Sequence, residues 1–219
     1  MQTDDETTAY QLHKLLTSRG YKRQRILPAD TRCQQDECTV QMESHRRFCC
    51  RKVGQPPKPK PRPKHPLKVH VWAGISMQGR AAICICIFEG IMKKELFVEI
   101  LRSSLLPTIQ ALYPNGHRLM QDNDPKHTSR YALQWMADNG VNWWKTPPES
   151  PDINPIENLW HELKEFIRRE VKPKVKQELI DGILAFWNLV DREKCRRYIR
   201  HLRKVLPKII EVNGCATGY

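Results

Sequence analysis

The chain has 219 residues, enough for one sizeable hydrophobic core with short appendages. Its 37 Lys and Arg residues outnumber its 24 Asp and Glu residues, and the net charge of +13 favours a polyanionic partner. The longest apolar run, residues 81–88, is far too short to cross a membrane, and the acidic amino terminus lacks a signal-peptide core. We therefore expect a protein of the cytosol or nucleus.

The first part of the chain is the hardest to interpret. Residues 6–20 predict one amphipathic helix that ends at Gly20. Residues 28–35 are polar, contain a proline and lack a period-two pattern, so they do not predict a buried strand. Residues 39–48 could form one.

A basic loop follows, which we define as residues 45–68. It contains nine Lys or Arg residues, six prolines and no acidic residue, a composition typical of extended polyproline-type chain. It could be a solvated linker, but its place between two predicted strands favours a protruding loop. It could also serve as a basic nuclear-import signal.

The rest of the chain alternates between predicted strands and helices. The strands are 67–76, 80–88, 117–121 and 141–144, and the helices are 93–106, 127–139, 154–170, 175–190 and 195–210. We expect one mixed sheet flanked by helices. The last helix carries a basic face, which could lie along phosphates or could be an ordinary exposed surface.

The eight cysteines do not predict a disulfide framework, because none form a Cys-x-x-Cys pair and the sequence shows no secretory signal. A zinc site remains open as an alternative. Its ligands would be Cys33, Cys38, His45 and Cys49. These spacings match no common zinc finger. Cys84 and Cys86 alternate with isoleucines, which indicates core thiols in a strand.

The first of two long polar motifs is residues 121–129, QDNDPKHTS. Asp122 follows a predicted strand, and the carboxyl ends of strands are where open α/β sheets bind ligands. Asp122 could simply start a loop. Asp124, however, precedes Pro125 and fits a helix-capping role better, which leaves Asp122 without a local structural task.

The second motif is residues 150–160, SPDINPIENLW. Asn154 and Pro155 mark a helix start, and Glu157 lies three residues beyond Asn154, so a capping box explains this glutamate as well as catalysis does. Glu157 lies off the apolar stripe of its helix and could turn toward a strand end. Thirty-four residues separate it from Asp122, which leaves room for a helix and a strand to fold back between them.

The two motifs, at this spacing, resemble the catalytic domain of mariner-type DDE transposases. The resemblance covers residues 36–219 and implies an α/β fold of the ribonuclease-H-like class with an Asp, Asp, Glu triad. Asp122 and Glu157 match its second and third members, and Asp36 would be the first. Such carboxylates would serve as both catalytic groups and ligands for two Mg²⁺ or Mn²⁺ ions acting on a phosphodiester.

The resemblance also implies partners. Residues 1–35 would be a remnant of a helix-turn-helix DNA-binding region with its junction, and the basic loop matches a clamp loop that reaches DNA and a second subunit. We therefore expect a nuclear protein that binds transposon-end DNA, and a homodimer if the loop acts as a clamp. The candidate DNA contacts are Arg46, Arg47, Lys58, Lys60, Arg62, Lys64, Lys126, His127, Arg196, Arg200 and Arg203.

Three functions follow from these patterns. The first is metal-dependent DNA cleavage and strand transfer; the second is a catalytically silent relic that keeps non-specific nucleic-acid binding; the third is a generic basic domain whose carboxylates only cap helices. The long motifs disfavour the third. Because residues 28–35 do not predict the strand that should lead to Asp36, we expect this carboxylate to be displaced and the chain alone to show little or no transposition.

Overall fold

The structure is a computed structural model, and it describes residues 32–42, 66–78, 85–145 and 153–211. Five strands form one sheet: β1 (Arg32–Gln41), β2 (Lys68–Ser76), β3 (Cys86–Phe88), β4 (Arg118–Gln121) and β5 (Trp143–Lys145). Their order is β3-β2-β1-β4-β5, with β1 parallel to β4 and antiparallel to β2. The predicted mixed sheet is confirmed, and β1 is its central strand.

Helices cover both faces of this sheet. They are α1 (Lys94–Ile100), a π-helical segment (Leu101–Leu105), α2 (Leu106–Leu112), α3 (Arg130–Asp138), α4 (Ile156–Phe166), a second π-helical segment (Ile167–Val171), α5 (Lys176–Leu189) and α6 (Arg192–Glu211). The helix predicted at 93–106 continues to Leu112. A π-helical segment precedes Pro107, which therefore lies in the first turn of α2, where proline is tolerated.

The two faces of the sheet bury separate cores. Cys38 and Val40 of β1 pack with α4, α5 and α6 on one face, whereas Cys33 packs with α1, α2 and α3 on the other. Successive strand side chains point to opposite faces, so the two cysteines lie on opposite sides of β1. The zinc alternative, which needs both cysteines around one ion, is therefore wrong; His45 and Cys49 lie outside the described residues. Neither Cys33 nor Cys38 forms a disulfide.

The expectation that the polar stretch before Asp36 cannot form the central strand is wrong. Gln34 and Gln35 belong to β1 and are buried, with 4% and 1% of their surfaces exposed. Gln34 Nε2 donates to Asn154 Oδ1 at 2.5 Å, and Gln35 Nε2 donates to Gln121 Oε1 at 2.6 Å. Each glutamine NH₂ group thus donates one hydrogen bond, which offsets part of the cost of burying it in a central strand.

The sheet therefore begins at Arg32, so the last residues that the sequence assigned to the junction belong to the sheet. Residues 1–31, including the predicted helix at 6–20, lie outside the described part of the chain. Among the helices that the structure describes, none combines the length and the apolar character needed to cross a membrane.

The described residues on either side of the 43–65 segment lie next to each other. Met42 N donates to Leu67 O at 2.9 Å, which brings the end of β1 next to the start of β2. Residues 43–65 lie outside the described ranges. The two residues that flank this segment are therefore neighbours in the fold, and the choice between a protruding loop and a linker stays a prediction.

Candidate active site

Asp36 lies in the middle of the central strand, opposite Ala73 of β2. It shares the face of β1 that packs against α4, and only 6% of its surface is exposed. Its Oδ1 accepts a hydrogen bond from Glu37 N at 2.7 Å, and its Oδ2 accepts one from Asn154 Nδ2 at 2.8 Å. Both oxygens are thus held, one by the strand and one by the segment that leads into α4.

Asp122 follows directly after β4, the parallel neighbour of β1. Gln34 lies opposite Met120, and continuing this register by two residues places Asp122 beside Asp36. Burial acts to raise the pKa of Asp122, but the hydrogen bond and charge of His127, with help from the backbone N–H of Asp124, hold that pKa below its usual value. Asp122 is therefore ionised at neutral pH.

His127 orients Asp122. Its Nδ1 lies 2.5 Å from Asp122 Oδ1, its ring is 1% exposed, and it packs on Phe97 with ring centroids 4.3 Å apart. The ionised carboxylate of Asp122 only accepts hydrogen bonds, so Nδ1 is the donor; Nε2 has no hydrogen-bond partner among the described residues. The burial does not fit the predicted DNA contact at His127, and sequence spacing alone gave no sign of this supporting role.

Lys126 fastens the same turn to the central strand. Its Nζ lies 3.0 Å from Glu37 Oε2 on β1 and 2.7 Å from Asp124 Oδ2 within the turn. The ammonium group of Lys126 thus forms ion pairs with two carboxylates, and only 15% of its side chain is exposed. The structure gives Lys126 an internal role next to the site, in addition to the predicted DNA contact.

The predicted cap at Asp124 is wrong. The cap of α3 is Ser129, whose side chain accepts a hydrogen bond from Ala132 N at 3.2 Å. Asp124 instead accepts a hydrogen bond from Lys126 N at 3.0 Å. The residues between Asp122 and Ser129 form a separate turn before α3 starts, and the hydrogen bond to Asp124 lies within that turn.

The capping-box alternative for Glu157 is not observed. The cap position of α4 is Pro155, and no side-chain hydrogen bond caps this helix. Asn154, which that alternative required as the cap, turns its amide to Asp36 instead. Glu157 is exposed in the first turn of α4, where its carboxylate has no capping task.

The three carboxylates act on one another electrostatically. Burial raises the pKa of Asp36 to about 7, and repulsion from Glu157 and then from Asp122 adds to this shift, against the lowering effect of the two hydrogen bonds. Such repulsion requires the carboxylates of Asp122 and Glu157 to lie near that of Asp36. Within the described ranges, the metal-binding side chains do not form a compact group of three or more that could already hold an ion.

The pKa of Asp36 predicts how stability depends on pH. The carboxyl group has a pKa of about 7 when folded and an ordinary value of 3.8, so between these values the folded state keeps a proton that the unfolded state has released. Stability is therefore lost as pH rises from about 4 to about 7. We expect Asp36→Asn to raise the Tm of the metal-free protein at pH 8, and to do so progressively less toward pH 5.

Thermal unfolding in EDTA at several pH values measures this difference. Asp181→Asn is the matched control, because Asp181 is exposed on α5 and far from the site in sequence. It should shift Tm by the same small amount at every pH. A constant offset for Asp36→Asn as well would show that burial does not hold a proton on this carboxyl group.

The predicted DNA contacts on the last helix divide into two groups. Arg196 Nε donates to Met77 O at 3.0 Å and Arg196 Nη1 lies 2.6 Å from Glu193 Oε1, so this arginine fastens α6 to the end of β2. Arg200 and Arg203 are exposed. Residues Arg46, Arg47, Lys58, Lys60, Arg62 and Lys64 lie outside the described ranges.

The sheet order and the acidic residues together define a class. A mixed five-stranded sheet carries one carboxylate on its central strand, a second directly after the neighbouring parallel strand and a third on a flanking helix. This is the arrangement of the ribonuclease-H-like domains that carry an acidic triad.

Comparison with known proteins narrows the class. Residues 32–180 match the family model of the DDE superfamily endonucleases. The transposase of transposable element Tcb1 from Caenorhabditis briggsae is 28% identical over 130 residues, which cover 59% of this chain and 47% of that protein. The chain thus spans about half the length of the curated relatives it matches.

Solved structures agree on the fold. The Mos1 transposase paired-end complex with left transposon end matches with a TM-score of 0.72 at 16% identity, covering 96% of this chain and 61% of that chain. The catalytic domain of Mos1 mariner transposase matches with a TM-score of 0.67 at 15% identity, covering 95% of this chain and 91% of that chain. The chain belongs to the DDE superfamily endonuclease family, and the expected fold of the catalytic domain is confirmed.

Proposed function

We propose that this chain binds DNA and, with divalent metal ions, cleaves and transfers DNA strands as the catalytic domain of a transposase. The observation that carries the proposal is the placement of the three carboxylates: Asp36 on the central strand, Asp122 directly after its parallel neighbour, and Glu157 in the first turn of α4, with the latter two repelling the buried Asp36. Structural elements far apart in sequence bring these like charges together, although each would be more stable apart. A bound cation would offset that repulsion.

The residues fit a hard divalent cation. All three side chains offer carboxylate oxygens, the ligands that Mg²⁺ and Mn²⁺ prefer. Each oxygen of Asp36 accepts one hydrogen bond and retains a second lone pair. Mos1 paired-end complexes were determined with Mn and with Mg, which supports the same choice of ions here. When bound, two such ions would supply an activated oxygen nucleophile and stabilise the leaving oxygen of the phosphodiester.

The chain's own side chains prepare this site. Asp122 stays ionised because His127 donates to it, so it is available as a ligand at neutral pH. Asp36 holds a proton near pH 7 and must release it before it can act as a ligand, so cation binding should strengthen as pH rises through about 7. The shell of Glu37, Lys126 and Asp124 fixes the turn that carries Asp122.

Incubation of the chain with supercoiled plasmid DNA tests the proposal. We expect nicked and linear DNA with Mg²⁺ or Mn²⁺ and intact plasmid in excess EDTA, because the carboxylates alone repel the phosphate. Ca²⁺ should support binding with much less cleavage. Intact plasmid under every metal condition, together with retained DNA binding, would favour the second function, a catalytically silent relic. The observation behind that alternative, an absent central strand, is removed because β1 is formed.

We further propose that the basic loop supplies DNA contacts, takes part in a homodimer and directs the protein to the nucleus, as its composition and the family resemblance suggest. The Mos1 complex with a transposon end supports the DNA contact, and the exposed Arg200 and Arg203 offer a second cationic surface. The nuclear location and the dimer rest on the sequence.

The salt dependence of DNA binding tests the loop. Each phosphate contact contributes about 0.9 to the slope of log K against log salt, so replacing Lys58, Lys60, Arg62 and Lys64 with Ala should reduce the slope by about 3 to 4. Fluorescence anisotropy with a labelled duplex measures it. The charge-matched control replaces four exposed lysines elsewhere, Lys93, Lys94, Lys172 and Lys174. An equal reduction in both variants would mean that only net charge matters.

A further inference from the structure

Asn154 joins two parts of the site that are distant in sequence. It lies just before α4, the helix that carries Glu157, and its Nδ2 donates to Asp36 Oδ2 on the central strand at 2.8 Å. The two residues are 118 positions apart. The hydrogen bond therefore couples the position of the first carboxylate to the start of the helix that bears the third.

The orientation of this amide is determined by its two neighbours. A carboxylate only accepts hydrogen bonds, so the NH₂ group of Asn154 must face Asp36. Its Oδ1 then needs a donor, and Gln34 Nε2 provides one at 2.5 Å. Gln34 is itself buried in β1, with 4% of its surface exposed. Rotation of the Asn154 amide by half a turn would place its oxygen against the carboxylate and its NH₂ against another NH₂.

The contact restricts how the Asp36 carboxylate can turn. Glu37 N holds Oδ1 and Asn154 Nδ2 holds Oδ2, so neither oxygen is free to rotate. One lone pair on each oxygen remains available. In metal sites, partners that hold ligands in this way typically change metal affinity by about 10- to 100-fold when they are removed.

We propose that Asn154, oriented by Gln34, is a positioning residue that holds the carboxylate of Asp36 in the orientation used to bind the divalent cation. The inference rests on the proposed function, because it assumes that Asp36 is a ligand. Asn154 does not touch the cation or the DNA. It acts through Asp36, and Gln34 acts through Asn154.

Mn²⁺ affinity of the full chain, measured from the electron paramagnetic resonance signal of free Mn²⁺, tests the inference without an activity assay. We expect Asn154→Ala to raise the Kd by about 10- to 100-fold and Gln34→Met to raise it in the same direction by less. The double variant should bind no more weakly than Asn154→Ala alone, because Gln34 acts only through Asn154. Asn158→Ala replaces an exposed asparagine on α4; it is the control and should bind as the unaltered chain does.

The outcomes separate this inference from the proposed function. Circular dichroism checks that each variant folds, and Gln34→Met tests the relay even if Asn154→Ala does not fold. Unchanged affinity in Asn154→Ala and Gln34→Met, with binding lost in Asp36→Asn, would overturn the positioning role and leave the metal site standing. Equal losses in Asn154→Ala and Asn158→Ala would also overturn it. Equal Mn²⁺ binding by the unaltered chain and Asp36→Asn would overturn both proposals.

Discussion

Replacing Asp36, Asp122 or Glu157 with the corresponding amide should lower metal-dependent DNA cleavage by about ten-thousandfold or more. Each substitution keeps the size of the side chain and removes one anionic ligand, so two carboxylates are left to neutralise and hold the cations. Residues that act as one unit lose most of the activity together. The double variant Asp36→Asn/Glu157→Gln should therefore be only slightly worse than either single variant. Single-turnover cleavage of a labelled duplex measures these rates.

The matched control is Glu165→Gln, on the same helix as Glu157 and two turns further along. Glu165 pairs with Arg168 and Arg169 at the surface, so its loss should leave the cleavage rate within a few-fold of the original. If one of the three amides retains nearly full activity, that residue is not a member of the triad. This would be most informative for Asp36, the member that the motifs matched least directly.

Trp160→Ala should produce the largest loss of stability among single core substitutions on α4. Trp160 is 1% exposed and packs α4 against the sheet in the core that includes Val71 and Ile75. Truncation leaves a large cavity, so we expect a loss of about 3 to 5 kcal/mol in the free energy of unfolding. The indole Nε1 has no hydrogen-bond partner among the described residues, so the loss should reflect packing alone.

Chemical denaturation measures this effect. Trp160→Phe should lose much less, because it keeps most of the buried ring, and Tyr131→Ala should change little, because Tyr131 is 47% exposed on α3. The same packing places the start of α4 beside β1, so Mn²⁺ affinity should fall in Trp160→Ala even at temperatures where the protein is folded. A loss below about 1 kcal/mol would mean that the helix collapses onto the sheet and fills the cavity.

The tether between Lys126 and Glu37 and the bond between His127 and Asp122 show how the second carboxylate is placed. Both contacts come from the QDNDPKHTS motif, which the sequence associated with catalysis and DNA binding. In the structure the motif mostly supports its own aspartate. Lys126 connects the turn to the central strand, and His127 connects Asp122 to the core at Phe97. In this motif, the residues next to the proposed catalytic aspartate hold it in place.

Much of the fold could be predicted because it depends on local pattern. The apolar stripe of α4 and the alternating strands appear in the sequence at the expected spacing, and the two motifs placed Asp122 after a strand and Glu157 in the first turn of a helix. The boundaries shifted by a few residues, as at α2, where Pro107 did not end the helix. These helices and strands can be predicted because each depends mainly on residues close to it in the sequence.

The central strand could not be predicted, because its stability comes from partners far along the chain. Gln34 and Gln35 look too polar for a buried strand until Asn154 and Gln121 are brought beside them by folding. The same holds for Asn154, which the sequence predicts as a helix cap but which donates a hydrogen bond to Asp36 in the structure.

The sequence by itself predicted a mixed sheet flanked by helices and a basic surface, since these depend on composition and local spacing, and its resemblance to a known family proposed the three acidic residues. Only the tertiary structure decided that Asp36 lies on a formed central strand, that His127 is buried against Asp122 and that Asn154 faces Asp36. Each of these depends on hydrogen bonds or burial between segments that meet only after the helices close over the sheet. Most buried polar groups are paired by the fold, and no local pattern encodes their partners.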